Sequence, residues 1–358
     1  MRVLIVKVSS LGDIIHTLPA VSDAKKAIPN IEFDWITEEA FTEVPGWHPA
    51  VKRVIPVALR RWRKSLLGIF FNREYKAFKK LLQATQYDLI IDAQGLFKSG
   101  KISSLAGGRI AGFDKNSIRE KMATRYYDDC YAVSWQQHAV ERSRELFAKA
   151  LGYSIQNQSA DYGIDINQFA SAKHKQAEAK LLFLHGTTWE TKLWPEEYWI
   201  QLSKKAHAND IPVNLLWGNA LEKQRATRIA ASAPGVTVLD KLTLTEIAAQ
   251  MIQAKAIVAV DTGLAHLAAA LGCPTVALYG ASDAIRTGTY GKNQMHLSAT
   301  LSCSPCLNKT CHYRGEDLSE DQQAQVFSVQ PPCFSTLDPD TVWHSLDSLM
   351  TGTRESGS

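Results

Sequence analysis

Short β-branched and aliphatic runs recur along this chain, and each is followed, after a polar or glycine-bearing loop, by a longer stretch whose apolar residues fall at helical spacing. That rhythm leaves few solutions. It predicts βαβ units and hence parallel sheets covered by helices. In the first half the pattern predicts strands over 2–8, 32–37, 53–57 and 87–92 and helices over 14–28, 72–84 and 138–151. In the second half it predicts strands over 181–184, 213–217, 236–239, 256–260 and 275–279. Between these strands lie a helix starting near Pro195, one over 221–231, one opened by the capping box Thr243-Leu244-Thr245-Glu246, and one over 264–271. At 358 residues the chain is too long for one ordinary α/β domain. The expected fold is α/β, with two Rossmann-like domains, 1–160 and 170–337, facing a cleft. The polar stretch 152–169 is the expected linker, 338–350 a last helix and 351–358 a disordered tail.

No apolar run reaches the roughly 18 residues that a membrane-spanning helix needs. Met1-Arg2 leads straight into Val3-Leu4-Ile5-Val6, a buried-strand pattern and not a secretory leader, which predicts a cytoplasmic protein. Net charge is only +4, but it is unevenly spread. Between Lys52 and Lys80 stand ten basic residues and one acid, Glu74, so that segment alone carries +9. A field of that kind suits an anionic partner. Beyond Trp62, Phe70, Phe71 and Tyr75 it lacks interleaved surface aromatics and it shows no known module pattern, so the rival reading as a nucleic-acid binder is set aside and no nucleic-acid partner is expected.

In open parallel sheets ligands bind beyond the carboxyl ends of the strands, so the loops that follow strands are the places to look for chemistry. The first is Ser9-Ser10-Leu11-Gly12-Asp13, which is neither a dinucleotide fingerprint nor a Walker loop. Asp13 reads as a helix N-cap or as a general base, and the two are compatible. The second, His185-Gly186-Thr187-Thr188-Trp189-Glu190-Thr191-Lys192, offers amides, hydroxyls and a cation to a diphosphate, or is an ordinary polar turn. The third, Val260-Asp261-Thr262-Gly263-Leu264-Ala265-His266, puts a glycine and a helix N-terminus after a strand, a favourable place for an anion. There Asp261 can accept from sugar hydroxyls, while His266 is either structural or part of the anion site. In the fourth, Trp217 can border a base and Glu222 can accept from ribose hydroxyls, a weak signal taken alone.

Of six cysteines, Cys130 and Cys273 stand apart and are expected as small core residues. Cys303, Cys306, Cys311 and Cys333 form a C-x2-C-x4-C cluster with a distant fourth thiol. Its spacing admits reduced loop thiols, a structural metal or a disulfide. The polar stretch 316–325 between them reads as a surface loop.

The opening Met1-Arg2-Val3-Leu4-Ile5-Val6-Lys7-Val8-Ser9-Ser10-Leu11-Gly12-Asp13-Ile14-Ile15-His16-Thr17-Leu18-Pro19-Ala20 and the stretch Val260–Gly272 resemble bacterial ADP-heptose:lipopolysaccharide heptosyltransferases. Three further stretches, 53–64, 137–148 and 194–199, are closest to the type I branch of that family. The likeness runs from Met1 to about Asn293. It implies a GT-B architecture, with an N-terminal acceptor domain, a C-terminal nucleotide-sugar domain and the last helix crossing back to the first. It implies inverting transfer of L-glycero-D-manno-heptose from ADP-heptose to a Kdo hydroxyl of Kdo-lipid A, with no cofactor and no catalytic metal. The family's base falls on Asp13. Its diphosphate and sugar contacts fall on Thr187, Thr188, Lys192, Asp261, Thr262, Gly263 and His266, and its ribose contact on Glu222. Lys192 is expected to act in catalysis as well, by stabilising the departing ADP. The acceptor is expected at Ser10, Gly12, Arg60, Arg61, Arg63, Lys64 and Arg119. The basic segment, with its apolar turn Leu66–Phe71, is expected to dock the enzyme peripherally on the cytoplasmic, anionic face of the inner membrane, the alternative being a solvated basic helix. Within enzymes the rival readings are a sibling that adds a later heptose and a nucleotide-sugar epimerase.

Overall fold

The computed structural model describes residues 1–62, 73–156, 158–169 and 180–355. The chain divides into two compact units, Met1–Asp165 and Ile166–Ser358, and the break falls inside the expected linker.

The first unit is built on six parallel strands, β1 (Arg2–Val6), β2 (Glu32–Glu38), β3 (Val51–Val57), β4 (Leu89–Asp92), β5 (Ile110–Phe113) and β6 (Asp129–Tyr131). They run in the order β3-β2-β1-β4-β5-β6. Leu4, Ile5, Val6, Ile90 and Ile91 are wholly buried, as befits central strands covered on both faces. The order reverses direction between β1 and β4, where Val6 pairs with Asp92. At that switch point helices leave toward opposite faces and a crevice opens beyond the strand ends. The expected helix over 14–28 is two helices, Leu11–Ile15 and Leu18–Ala27, because Pro19 sits in the first turn of the second. The buried Arg144 of the helix Ala139–Leu151 clamps Asp23 at 2.6 Å, fixing that helix on Leu18–Ala27.

The second unit repeats the plan with β7 (Leu181–Leu184), β8 (Val213–Leu215), β9 (Val236–Val238), β10 (Ala256–Val260), β11 (Thr275–Tyr279) and β12 (Gln294–Ser298). These run β12-β11-β10-β7-β8-β9, again all parallel, with the switch point between β7 and β10. Trp194, Trp199, Phe183 and Phe334 fill its core with little or no exposure. The capping box at Thr243 forms, with Thr243 Oγ1 accepting from the Glu246 amide. Pro195 stands at the N-cap of Glu196–Ala208 and not at its first helical position. The polar stretch read as a surface loop instead contains the helix Glu320–Phe327, opened by a Ser319–Gln322 capping box. The last helix runs Pro339–Glu355, beyond its expected end at 350, and packs on Glu196–Ala208, β10, β11 and β12. Cys130, expected in the core, is exposed, because β6 is the edge strand of its sheet, whereas Cys273 is buried. No helix among the described residues is long and apolar enough to cross a membrane.

Candidate active site

The second unit brings three of the expected residues together at its switch point. Lys192, from the loop after β7, places Nζ 2.5 Å from Asp261 Oδ2, at the end of β10. His266, on the first turn of the helix Gly263–Ala270, lies with Nε2 3.7 Å from Asp261 Oδ1. Burial pushes the Asp261 carboxyl up, but His266 and Lys192 outweigh it and hold the group well below the usual carboxylate range. The Lys192 ammonium also lies 4.4 Å from the centre of the Trp189 ring. Thr187 Oγ1 donates to the Asp261 carbonyl at 3.2 Å, tying the two loops together, while Thr188 is exposed beside it. Thr262 is the N-cap of Gly263–Ala270 but its side chain makes no capping bond. The Ala265 amide turns back onto the Thr262 carbonyl at 3.0 Å, and the start of the helix is a favourable place for an anion. Asp261, expected to take sugar hydroxyls, already has one oxygen on Lys192 and the other toward His266.

Glu222 lies at the mouth of the neighbouring loop, accepting from the Gly218 amide at 2.6 Å and the Asn219 side chain at 2.8 Å. Its carboxylate rests against Gly186: a Cβ there would stand 2.7 Å from Glu222 Cδ. Each carboxylate oxygen keeps a lone pair, so a ribose hydroxyl can still be received. Trp217 donates Nε1 to the Leu239 carbonyl at 2.7 Å and stacks under Lys223.

The first unit holds the residues expected to contact and deprotonate the acceptor. Asp13 is not the N-cap of Leu11–Ile15; that position is Ser10, and Asp13 is the third helical residue. Its Oδ2 accepts from the Ser10 amide at 2.7 Å and the Ser10 hydroxyl at 2.8 Å. Ser10 is exposed, Gly12 buried and Asp13 half-buried. Lys7 lies buried at the end of β1, donating Nζ to the Ala93 carbonyl at 2.8 Å. Burial drives its pKa down, Asp13 and Asp92 act against that, and Arg142 and Arg119 add to it. Arg119, exposed in the loop after β5, thus belongs electrostatically to the same neighbourhood. Asp92 is fully buried, and burial pushes its carboxyl up against the bonds it accepts from Tyr127, Ser99, Gly95 and Gln94. Neither Lys7 nor Asp92 stood out in the sequence, because both lie inside or at the end of an aliphatic run.

Of the basic acceptor residues, Arg60 and Arg61 lie on the short helix Leu59–Trp62. Arg61 is half exposed and paired with Glu74 at 2.7 Å and Glu39 at 3.1 Å. Arg63, Lys64 and the apolar turn lie outside the described residues. The four clustered cysteines line one cavity of about 270 Å³ with Thr191, Asn308 and Tyr313. All four are free thiols. Burial pushes Cys333 up to about 12, with Cys311, Cys303 and Cys306 adding to it. Among the described residues no set of three His, Cys, Asp or Glu side chains is disposed to hold a metal ion.

Residues 75–316 match the model of glycosyltransferase family 9 (heptosyltransferase). The chain belongs to that family. It is similar to lipopolysaccharide heptosyltransferase 1 of Pseudomonas aeruginosa, 49% identical over 354 residues that cover 98% of each chain. It is also similar to the solved structure of Escherichia coli heptosyltransferase WaaC with ADP, at 48% identity and a TM-score of 0.79, covering 84% of this chain and 94% of that one. The same enzyme with ADP-2-deoxy-2-fluoro heptose gives a TM-score of 0.77 over the same shares. As a family 9 glycosyltransferase the chain has its two parallel six-stranded sheets accounted for, and the rhythm that predicted them is borne out.

Proposed function

We propose that this glycosyltransferase moves L-glycero-D-manno-heptose from ADP-heptose onto a Kdo hydroxyl of Kdo-lipid A, with inversion. The observation that carries the reading is the Lys192–Asp261–His266 group beside an uncapped helix N-terminus at the second switch point. It supplies a cation and backbone donors for a diphosphate, and Glu222 and Trp217 next to it suit a nucleoside. The likeness to heptosyltransferase 1 over nearly the whole chain supports the acceptor.

In the proposed step an acceptor hydroxyl oxygen bonds to the anomeric carbon as the bond from that carbon to the β-phosphate oxygen breaks. The hydroxyl proton passes to Asp13, whose carboxylate is oriented by two Ser10 donors. Charge developing on ADP is met by Lys192 and by the first amides of Gly263–Ala270. Those fixed donors do what a metal ion does elsewhere, so catalysis by this route needs none. Lys7 and Arg119 add positive potential for the carboxylates and phosphates of Kdo-lipid A. Arg60, Arg61, Arg63 and Lys64 extend it, Arg61 exchanging Glu39 and Glu74 for an acceptor group. The same segment suits an anionic membrane surface, where each basic residue contributes about 1 kcal/mol.

Incubation with ADP-heptose and either Kdo-lipid A or the same acceptor already carrying one heptose, followed by mass spectrometry, tests the assignment. Product from Kdo-lipid A is expected. Product from the heptosylated acceptor alone would replace this reading with that of a later-acting sibling. Changing Arg60, Arg61 and Arg63 together to Glu is expected to raise the acceptor KM and weaken co-sedimentation with anionic liposomes, leaving ADP binding unchanged.

A further inference from the structure

Asp13 stands on a helix of only five residues, Leu11–Ile15. A single turn has no cooperative stability of its own, so something outside it must hold its start. The loop that feeds it, Val8-Ser9-Ser10, leaves the sheet where β1 ends, and its first two amides have no further strand to bond. Both are taken by one side-chain atom. Gln94 Oε1 accepts from the Val8 amide at 2.9 Å and from the Ser9 amide at 3.0 Å. Two backbone donors converge only on an oxygen, so these bonds also fix which way the Gln94 amide is turned.

Gln94 is itself held from below. It lies just past β4, and its own amide donates to Asp92 Oδ1 at 2.9 Å. Gly95 donates to the same oxygen at 3.1 Å, in a positive-φ conformation of +68° that suits glycine. The other Asp92 oxygen receives the Ser99 hydroxyl at 2.8 Å and the Tyr127 hydroxyl at 2.7 Å. A fully buried carboxylate with four donors is a rigid anchor. Lys7 Nζ on the Ala93 carbonyl, at 2.8 Å, closes a second link between the end of β1 and the turn after β4. The chain of contacts therefore runs from buried Asp92, through the turn it organises, to Gln94, to the Val8 and Ser9 amides, and on to Ser10 and Asp13.

The geometry points to Gln94 as a positioning residue for glycosyl transfer: it clamps the loop that sets Asp13, and it acts on the reaction only through Asp13. This rests on the reading of Asp13 as the base. Removing the Gln94 oxygen orphans two amides at a strand end and lets the one-turn helix shift. A displacement of about 1 Å at a reacting group can cost on the order of 100-fold in rate. Substrate contacts in the second unit are untouched, so the loss falls on kcat and not on ADP affinity.

Three substitutions carry the test. Gln94→Met removes the acceptor at similar size, Gln94→Glu keeps an oxygen in its place, and Asp13→Asn removes the base. Turnover is measured with ADP-heptose and Kdo-lipid A; ADP binding by calorimetry reports on the second unit, and the urea-unfolding midpoint of the first unit reports that the part carrying each substitution is folded. Gln94→Met is expected to lose roughly 10- to 100-fold in kcat with ADP affinity within about twofold of native. Gln94→Glu is expected to recover most of that loss. In the Asp13→Asn background Gln94→Met is expected to add no more than about twofold, since the two act as one unit. Native-like turnover in Gln94→Met, no recovery in Gln94→Glu, or losses that multiply in the double variant would each overturn the inference. If Gln94→Met loses the unfolding transition of the first unit, Gln94→Ala takes its place under the same criteria. Native turnover in Asp13→Asn overturns the base reading and the inference with it. An inactive Asp13→Asn beside a native-like Gln94→Met overturns the inference alone.

Discussion

Lys192, to which we assign the donor diphosphate, is already partnered by Asp261 at 2.5 Å and by the Trp189 face. Replacing it with Ala removes the cation from the diphosphate and leaves Asp261 buried beside His266 alone. Charge-assisted bonds contribute about 1.5–3 kcal/mol, so Lys192→Ala should weaken ADP binding roughly 10- to 100-fold and slow transfer as well. Calorimetry and initial rates check both. EDTA should leave turnover unchanged; activity lost on chelation and restored by magnesium or manganese would contradict the charge assignment. Asp13→Asn should lower kcat by about 10²–10⁴-fold and leave ADP affinity intact, which single-turnover assays resolve. Sequence alone reached these residues because each follows a strand and precedes a helix. It did not reach Gln94, whose function depends on backbone amides 85 and 86 positions away. A different constellation shows why residue types alone mislead. Ser22 Oγ lies 2.9 Å from His48 Nε2, with Asp161 nearby, yet Nδ1 accepts from the Ala50 amide at 3.1 Å. The neutral ring therefore donates to the serine instead of taking its proton, and the group is structural.

Among elements, the central strands were legible because burial on both faces writes them as unbroken aliphatic runs. Leu181–Leu184, Ala256–Val260 and Thr275–Tyr279 were found to the residue. The strands missed, β5, β6 and β12, lie toward sheet edges. β12 is half exposed, so its sequence is mixed. β5 reads Ile-Ala-Gly-Phe, and its glycine looks like a loop signal. The structure explains that glycine by close approach: a Cβ on Gly112 would lie 2.3 Å from the Tyr127 ring. Tyr127 in turn bonds Asp92, so β5 must yield space for the anchor beneath the base loop. Gly112→Ala should therefore destabilise the first unit by about 1–3 kcal/mol, read by urea unfolding of a β4–β6 reporter. Turnover should fall further than ADP binding in the surviving folded fraction.

At the scale of the molecule, each unit encloses a histidine that burial holds well below its usual range. Burial brings His48 in the first unit to about 4, and burial with Arg225 brings His185 in the second to about 4. An unfolded histidine titrates near 6.5, so between the two values the unfolded chain binds the extra proton. Stability is thus full above about pH 6.5, falls as pH drops toward 4, and levels off below it. Each site contributes on the order of 3 kcal/mol to that loss. Calorimetry from pH 7 to 4.5 should show both units melting earlier in acid, and His48→Gln should flatten the slope for the first alone. That both units carry parallel sheets was readable in the sequence, since each strand and crossover carries its own period; the order of the strands was not. What the sequence withheld was the coupling between loops, which exists only once β1 lies beside β4 and β7 beside β10. Lys192 and Asp261 show what that adjacency does for a protein working among abundant phosphates. If Lys192 receives the diphosphate, its cation comes with its own counterion, and a stray inorganic anion must displace a carboxylate to reach it. On that reading a molecule that also brings a nucleoside and a sugar gains the further contacts that offset the displacement, and the pair discriminates against simpler anions.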